Sequence, residues 1–336
     1  MTRKATSSDV AKLAGVSQSA VSRTFTPGAS VSSKTRAKVL KAAAALAYRP
    51  NALARSLIVG RSRLIGLIVA HLDNQFYPVA LEMLSNALRT RGYHILVFLA
   101  TSNGDPVDDV LDTLIDYQVD GIVMGSASIS TRLAQRCEAA GIPVVLFNRY
   151  QDDAKLSSVV SDNHAGARAI AEHFVAGGHR RIAHFAGWQN ASTGRDRALG
   201  FREGLARHGF ELASFVDTEF RPSVAKEAAR AVFSRPDRPD AVFCGNDTLA
   251  FAVMDVLRYE LGLRVPEDVA VAGYDDVPIS AWPAYNLTTA RQQADRLVKE
   301  TVDILVARIE HAGAGPRSVV LDSPLVVRGT TRPVPG

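Results

Sequence analysis

Cysteine is nearly missing from this chain of 336 residues, with Cys137 and Cys244 the whole complement. Two thiols leave room for one disulfide at most, and so sparse a content fits a reducing cytosol better than a secreted scaffold. Long apolar runs are missing too. Stretches such as Leu64 to Ala70 fall far short of the roughly 20 residues that a membrane helix needs, so no membrane partner is expected. The opening MTRKATSSDV has no apolar core and does not read as a secretory signal. The signatures of common enzymes are absent: no G-x-x-x-x-G-K-[ST] phosphate loop, no G-x-S-x-G elbow and no H-E-x-x-H pair. The eight histidines are scattered without metal-ligand spacing. His71 near Asp73 is the nearest approach to a catalytic pair. The expectation is therefore no catalytic residue, no metal and no cofactor.

What the chain has is an uneven distribution of charge. Residues 1–63 carry 12 Lys and Arg against one acidic residue, Asp9, and so are about +11, whereas the whole chain is +5. The other 273 residues are then about −6. A basic head on a mildly acidic body is the electrostatic footprint of a phosphate-binding module. At 47% hydrophobic and 22% charged residues the composition is that of a globular protein, and the body is long enough for two substantial cores.

The head reads as three short helices. Ser7 or Ser8 can cap the first, with Asp9 in its first turn. Val10, Leu13 and Ala14 form one apolar face. Gly15 supplies the positive φ of a tight turn, Val16 is an apolar plug, and Ser17 caps a second helix from Gln18 to about Phe25. Ala20, Val21 and Thr24 face inward on it; Gln18, Ser19, Ser22 and Arg23 face out. Pro27-Gly28 breaks it. Ser32 or Ser33 caps a third helix to about Tyr48, with Val39, Leu40, Ala43 and Leu46 inward, and Pro50 stops that helix. A helix that opens with short or forked polar side chains suits the major groove. Gln18 can pair with adenine and Arg23 with guanine, while Ser19 and Ser22 allow close approach or bind phosphate. The plainer reading is a three-helix bundle with a solvated polar face. The stretch NALARSLIVGRSR, Asn51 to Arg63, is a linker too short to hold a helix alone. Ordering it would draw on binding energy from DNA.

From Leu64 short apolar strands alternate with amphipathic runs: LIGLIVA, YHILVFLA, GIVMG, PVVLFN, then RIAHFAG, DAVFCGN and VAVAGYD, with helical stretches such as Val79–Arg91 and Ala165–Ala176 between them. This alternation predicts parallel sheets covered on both faces, in two groups that meet near Asp162. Ligands of such sheets sit beyond the carboxyl ends of the strands. Candidates are then Asp73 to Tyr77, Ser126, Asn148-Arg149, Trp188 to Arg197, Asn246-Asp247 and Asp275. Asn246-Asp247 can equally be plain helix caps and Asp275 a turn residue. His179 reads as structural. Arg, Asn and Asp beside aromatics suit a sugar, and Arg149 and Arg195 can add charge pairing for a sugar acid or phosphate.

DVAKLAGVSQSAVSR followed by VSSKTRAKVLKAAAALAYRPNALARSL resembles the DNA-binding head of the lactose-repressor (LacI/GalR) family. The likeness runs to about Arg332 through DNQFYP, GHRRIAHFAG, Arg197 to Phe201, FCGND, LRVPEDVAVAGYDD and LTTARQ. It implies an all-α helix-turn-helix head over residues 1–50, a hinge over 51–63, and a periplasmic-binding-protein-like α/β body of two doubly wound parallel-sheet lobes over 64–336. The first lobe would take about 64–162 and 291–321, the second about 163–290 and 322–336. The resemblance makes Gln18, Ser19 and Arg23 base readers, with Ser8, Ser17, Ser22, Asn51 and Arg55 in the DNA-binding set. Leu57 becomes an apolar wedge for the minor groove, with Ala54 beside it. It places an effector on Phe76, Tyr77, Asn148 (where many members carry Asp), Thr193, Arg197, Asn246 and Asp275; position after a strand adds Ser126, Arg149 and Trp188, and Phe220 completes the expected effector set. It implies a cytoplasmic transcriptional regulator, most often a repressor, with double-stranded near-palindromic operator DNA and a small carbohydrate effector as partners. The C-terminal VVRGTTRPVPG has no leucine heptad, which points to a homodimer. The competing classes are a transport-type ligand-binding protein, disfavoured by the basic head, and an α/β enzyme.

Overall fold

The computed structural model describes residues 5–26, 28–49, 61–70, 72–100, 108–125, 130–151, 156–311 and 313–333. The chain divides into two compact units, residues 1–63 and residues 64–336.

The first unit holds α1 (Ser7–Ala14), α2 (Gln18–Phe25) and α3 (Ser33–Ala45). The cap of α1 is Thr6, one residue before the expected serines, and Ser8 lies exposed inside the helix. Thr6 and Asp9 close on each other: the Thr6 N–H donates to an Asp9 carboxylate oxygen at 2.9 Å, and the Asp9 N–H donates to Thr6 Oγ1 at 3.3 Å. This reciprocal box satisfies two orphan donors at once, which a lone Ser8 cannot do. Gly15 takes φ +64° and ends α1. Ser17 caps α2 and Ser32 caps α3. The core is Val10, Ala11, Val21, Val39, Ala42 and Ala43, with Val16, Phe25, Leu46 and Tyr48 packed against it. Leu13 and Leu40, expected inside, are 57% and 47% exposed. The close packing is made through alanine at 11, 42 and 43, which turns the apolar stripe by a residue and leaves the bulkier leucines outside.

The second unit contains two six-stranded sheets. The first is built from β1 (Leu64–Val69), β2 (His94–Leu99), β3 (Gly121–Gly125), β4 (Val144–Phe147), β5 (Ser157–Ser161) and β11 (Ser318–Leu321). Its order is β11-β5-β4-β3-β1-β2, parallel throughout. The second contains β6 (Ile182–Ala186), β7 (Ser214–Asp217), β8 (Ala241–Cys244), β9 (Ala270–Asp275), β10 (Thr288–Arg291) and β12 (Leu325–Val326). Its order is β12-β10-β9-β8-β6-β7, and only β12 runs antiparallel. Central strands are buried on both faces, which is why they read as unbroken apolar runs.

Helices cover both faces of each sheet. On the first, α4 (Phe76–Thr90) and α11 (Ala294–Glu310) enclose Ile65, Val123 and Val145. Across the sheet lie α5 (Asp108–Asp116) and α6 (Thr131–Ala139), with Leu114 and Cys137 in the core. On the second, α7 (Asn163–Ala176) and α8 (Ser192–Ala206) pack Phe174 and Phe201 against Phe243. The other face takes α9 (Pro222–Phe233) and α10 (Asp247–Asp255), with Cys244 between them and the sheet. Both thiols are free and buried in separate cores, so the possible disulfide does not form. The chain passes between lobes at Asp162, at Gln292-Gln293 and between β11 and β12. In each sheet the first strand lies between the second and third, and this reversal opens a crevice at the strand ends.

His184 on β6 is fully buried, stacked on Phe243 at 4.7 Å, and neither ring nitrogen has a partner. Burial, with Arg202 and Arg197 nearby, pushes its pKa down from 6.5 to about 3. A depressed histidine favours the native state above pH 6.5, and that advantage is lost as pH falls toward 3, because the unfolded chain alone takes the proton. His184→Leu is expected to flatten this acid sensitivity. Between pH 7 and pH 5 the parent should lose about 2 kcal/mol more stability than the variant, read by urea unfolding at both pH values. Equal losses would mean that His184 titrates normally.

Candidate effector cleft and DNA-reading face

The crevice between the two sheets is a cleft lined by Asp73, Asn74, Tyr77, Asn148, Arg149, Thr193, Arg197, Phe220, Asn246, Thr248 and Asp275. The fold delivers each of them from a strand end or a helix start. Asp73 and Asn74 follow β1, Asn148 and Arg149 follow β4, and Asp275 ends β9. Thr193 lies in the first turn of α8, and Asn246 caps α10, its side chain accepting from the Leu249 N–H at 2.9 Å. Asn246 is therefore a helix cap that also lines the cleft.

A buried ion pair anchors the floor. Arg197 Nη2 donates to Asp275 Oδ1 at 3.4 Å, and both side chains are almost fully buried. Arg197 also donates to Asn163 Oδ1 at 2.8 Å and to the Gly245 carbonyl at 2.6 Å, and lies 3.7 Å from the centre of the Tyr274 ring. Asp275 takes further bonds from Gln292 at 2.6 Å and from Asn74 of the other lobe at 3.2 Å. Burial raises the Asp275 pKa, and the Arg197 charge and these donors oppose that rise. Asp247 is fully buried and braces the site from behind. It accepts from Thr289, Ser280 and the Val277 N–H at 2.6, 2.7 and 2.9 Å. Burial and the neighbouring Asp275 charge hold its carboxyl above the usual range.

Three lining residues sit at positive φ without being glycine: Asn148 at 62°, Phe220 at 58° and Asp275 at 121°. Such strain costs about 1–3 kcal/mol per residue and clusters at functional sites. Phe220 can hold its pose because residue 187 is glycine; a Cβ there would run into the ring. Three buried polar atoms of the lining have no hydrogen-bond partner: Asn148 Oδ1, Arg149 Nε and Thr248 Oγ1.

On the head, α2 turns Val21 and Thr24 inward and leaves Gln18, Ser19, Ser22 and Arg23 exposed. At about 100° per residue these four occupy one arc of about 140°. Gln18 Nε2 donates to Ser7 Oγ at 2.9 Å, and Arg23 Nε reaches the Ser19 carbonyl at 3.4 Å. The exposed face is therefore a small polar surface at a helix start, as groove entry requires.

Residues 6–51 match the profile of the bacterial regulatory proteins of the lacI family, and residues 171–331 that of the periplasmic binding protein-like domain. The HTH-type transcriptional repressor PurR of Photobacterium profundum is 30% identical over 332 residues, covering 98% of this chain and 99% of the relative. The chain belongs to the lacI family of bacterial regulatory proteins. Among solved structures, the lac repressor dimer bound to operator and the anti-inducer ONPF superposes with TM-score 0.87 at 28% identity, covering 98% of this chain and 100% of the other. A complex of the transcriptional regulator CelR with cellobiose gives TM-score 0.72 at 32% identity, with 97% and 99% covered.

Of the residues expected from sequence, Tyr77, Asn148, Arg149, Thr193, Arg197, Phe220, Asn246 and Asp275 lie together in the cleft wall. Phe76 does not. It is buried in the first lobe, parallel to Phe147 at 6.0 Å and edge-on to Tyr77 at 5.4 Å. Neighbours on a helix point about 100° apart, so Phe76 and Tyr77 cannot both face the cleft. Trp188 also lies off the lining; Arg149 sits 6.0 Å from its ring centre. Arg195 lies apart as well, donating to the Tyr150 hydroxyl at 3.1 Å beside Asp196. Thr248 escaped notice, although it directly follows the Asn246-Asp247 pair and the first turn of α10 opens onto the cleft. Ser126, His71, Asn51, Ala54, Arg55 and Leu57 lie outside the described residues. His179 is buried edge-on to Phe174 at 5.7 Å, as a structural residue should be. No helix among the described residues is long and apolar enough to cross a membrane.

Removing one partner of a buried pair strands the other. Arg197→Met is expected to lower stability by about 3–5 kcal/mol, and Arg197→Met with Asp275→Leu by less than the two single changes summed. Urea unfolding of the set measures this. Strict additivity would show that the pair is not coupled.

Proposed function

We propose that this protein is a cytoplasmic transcriptional repressor that binds a near-palindromic operator as a homodimer and answers to a carbohydrate held in the cleft. One observation carries the effector half: buried polar atoms without partners line the crevice from both lobes, Asn148 and Arg149 from one and Thr248 from the other. Native interiors leave few such groups unmatched, and a hydroxyl-rich ligand would satisfy them. The solved CelR–cellobiose complex, a near neighbour in fold and sequence, supports that ligand class. Tyr77 and Phe220 supply apolar ring surface; Asn148, Thr193, Arg197, Asn246 and Asp275 supply donors and acceptors.

The DNA half rests on the exposed arc of α2 within a head of about +11 charge. Gln18, Ser19 and Arg23 read bases. Ser8, Ser17, Ser22, Asn51 and Arg55 contact the backbone, and Leu57, with Ala54 beside it, wedges into the minor groove. Two-fold protein symmetry then meets two-fold DNA symmetry, and the similar lac repressor was solved as a dimer bound to operator.

Selection of random duplex DNA on the purified chain tests the reading directly. A palindrome with a flexible central step is the expected yield, and no enrichment would reduce the function to ligand binding. Arg23→Ala should relax preference at one base pair per half-site at about 1–3 kcal/mol. Leu57→Ala should weaken binding to that site far more than to random DNA; equal loss would remove the wedge. Light scattering should give a mass near twice 36.1 kDa, and a stable mass of four chains would contradict the dimer.

A further inference from the structure

The charges of the cleft do not balance. Arg197 is neutralised by Asp275, which is itself saturated by Gln292 and Asn74. Arg149 is different. Its side chain is buried, the residue being 6% exposed, and it lines the same cavity. Among the described residues no carboxylate pairs with it, and its Nε has no hydrogen-bond acceptor. Its guanidinium lies over the Trp188 ring, 6.0 Å from the ring centre. Its sequence neighbour, Asn148, is neutral, with an Oδ1 that also lacks a partner. The other acidic residue of the lining, Asp73, is exposed.

A buried, unpaired guanidinium is among the costliest groups a protein can hold, and it persists where something else supplies the counter-charge. Burial also pulls the Arg149 pKa down, the direction of a cation short of partners. Resting on the reading of the cleft as a carbohydrate site, we infer that the effector is an anionic sugar whose carboxylate or phosphate group pairs with Arg149. A planar guanidinium suits either group, since both present paired oxygens to its fork of donors. Asn148 Oδ1 and Thr248 Oγ1 are left to take ligand hydroxyls. The assignment separates Arg149 from Arg195, whose charge is met by Asp196 and whose donor is held by Tyr150.

The test is calorimetric titration of the full chain with pentoses, hexoses and disaccharides, each beside its aldonate, uronate and phosphate. An acid or a phosphate should bind, with its neutral parent sugar weaker by about 10- to 100-fold. Whichever series binds identifies the anion. Arg149→Met should lose a similar factor for the anionic ligand, and Arg149→Lys, which keeps the charge, should retain part of the affinity. Asn148→Asp, which places a carboxylate in the cavity, should also weaken the anion. Without ligand, Arg149→Met should melt no lower than the parent, because the charge that it removes has no carboxylate partner among the described residues. A lower melting temperature would overturn the inference. So would a neutral sugar bound equally by the parent and by Arg149→Met, although the carbohydrate reading would stand. Binding of no member of the panel would overturn both.

Discussion

A charged pair held out of water at the seam of two lobes costs several kcal/mol per ion unless hydrogen bonds saturate both members, and Arg197–Asp275 meets that demand by recruiting both lobes. The guanidinium ties the end of β8, through the Gly245 carbonyl, to the start of α7, through Asn163. The carboxylate ties the end of β9 to Gln292 at a crossing of the chain and to Asn74 after β1. Gln292 in turn accepts from Ser161 at 3.0 Å, next to another crossing. A single polar cluster thus fixes the strand ends that make the cleft wall and the points where the chain changes lobes. Any rotation of one lobe against the other works directly on the Asn74–Asp275 bond, the one link in the cluster that leaves the second lobe for β1.

The cleft is accordingly a place of stored cost. Positive φ at Asn148, Phe220 and Asp275 and the unmatched atoms of Asn148, Arg149 and Thr248 each oppose the native state, and the paired sheets offset them. Natural proteins concentrate such violations where function requires them. A ligand that satisfies these atoms stabilises the arrangement that presents them by mass action. That differential affinity is the whole of the free energy available for moving a conformational equilibrium.

The central strands of both sheets were legible because parallel strands buried on two faces must be continuous apolar runs. LIGLIVA, GIVMG and VAVAGYD are such runs, short and bounded by turn or polar residues. The strands that escaped are polar or peripheral. The serines of β5 are buried against β11 and mutually hydrogen bonded, as Ser158 is to Ser318 at 3.1 Å, and β10 hides its threonines in bonds to Asp247 and Thr330. Partners so distant in sequence leave no periodic trace. In the head, spacing placed Leu13 and Leu40 inside, but alanine made the close contacts and the leucines turned out. In the cleft, residue type and position after a strand found most of the lining. Phe76 shows the limit: two adjacent aromatics at a helix start look alike in sequence, and only the direction of the helix decides which one faces the cavity.

The charge distribution sets how much the cleft has to do. A head of about +11 supplies phosphate affinity that is blind to sequence, whereas a body of about −6 supplies none. Control of such a protein need not abolish DNA binding. It need only remove the margin between a specific site and bulk DNA that base contacts provide. Couplings between two sites are typically about 1–3 kcal/mol, the same order as a hydrogen bond to a buried charge. Matching the guanidinium of Arg149, which has no carboxylate partner among the described residues, would supply free energy of that order, and only the part that differs between two states can shift an equilibrium. Any such coupling is reciprocal, each ligand changing the affinity for the other by the same factor.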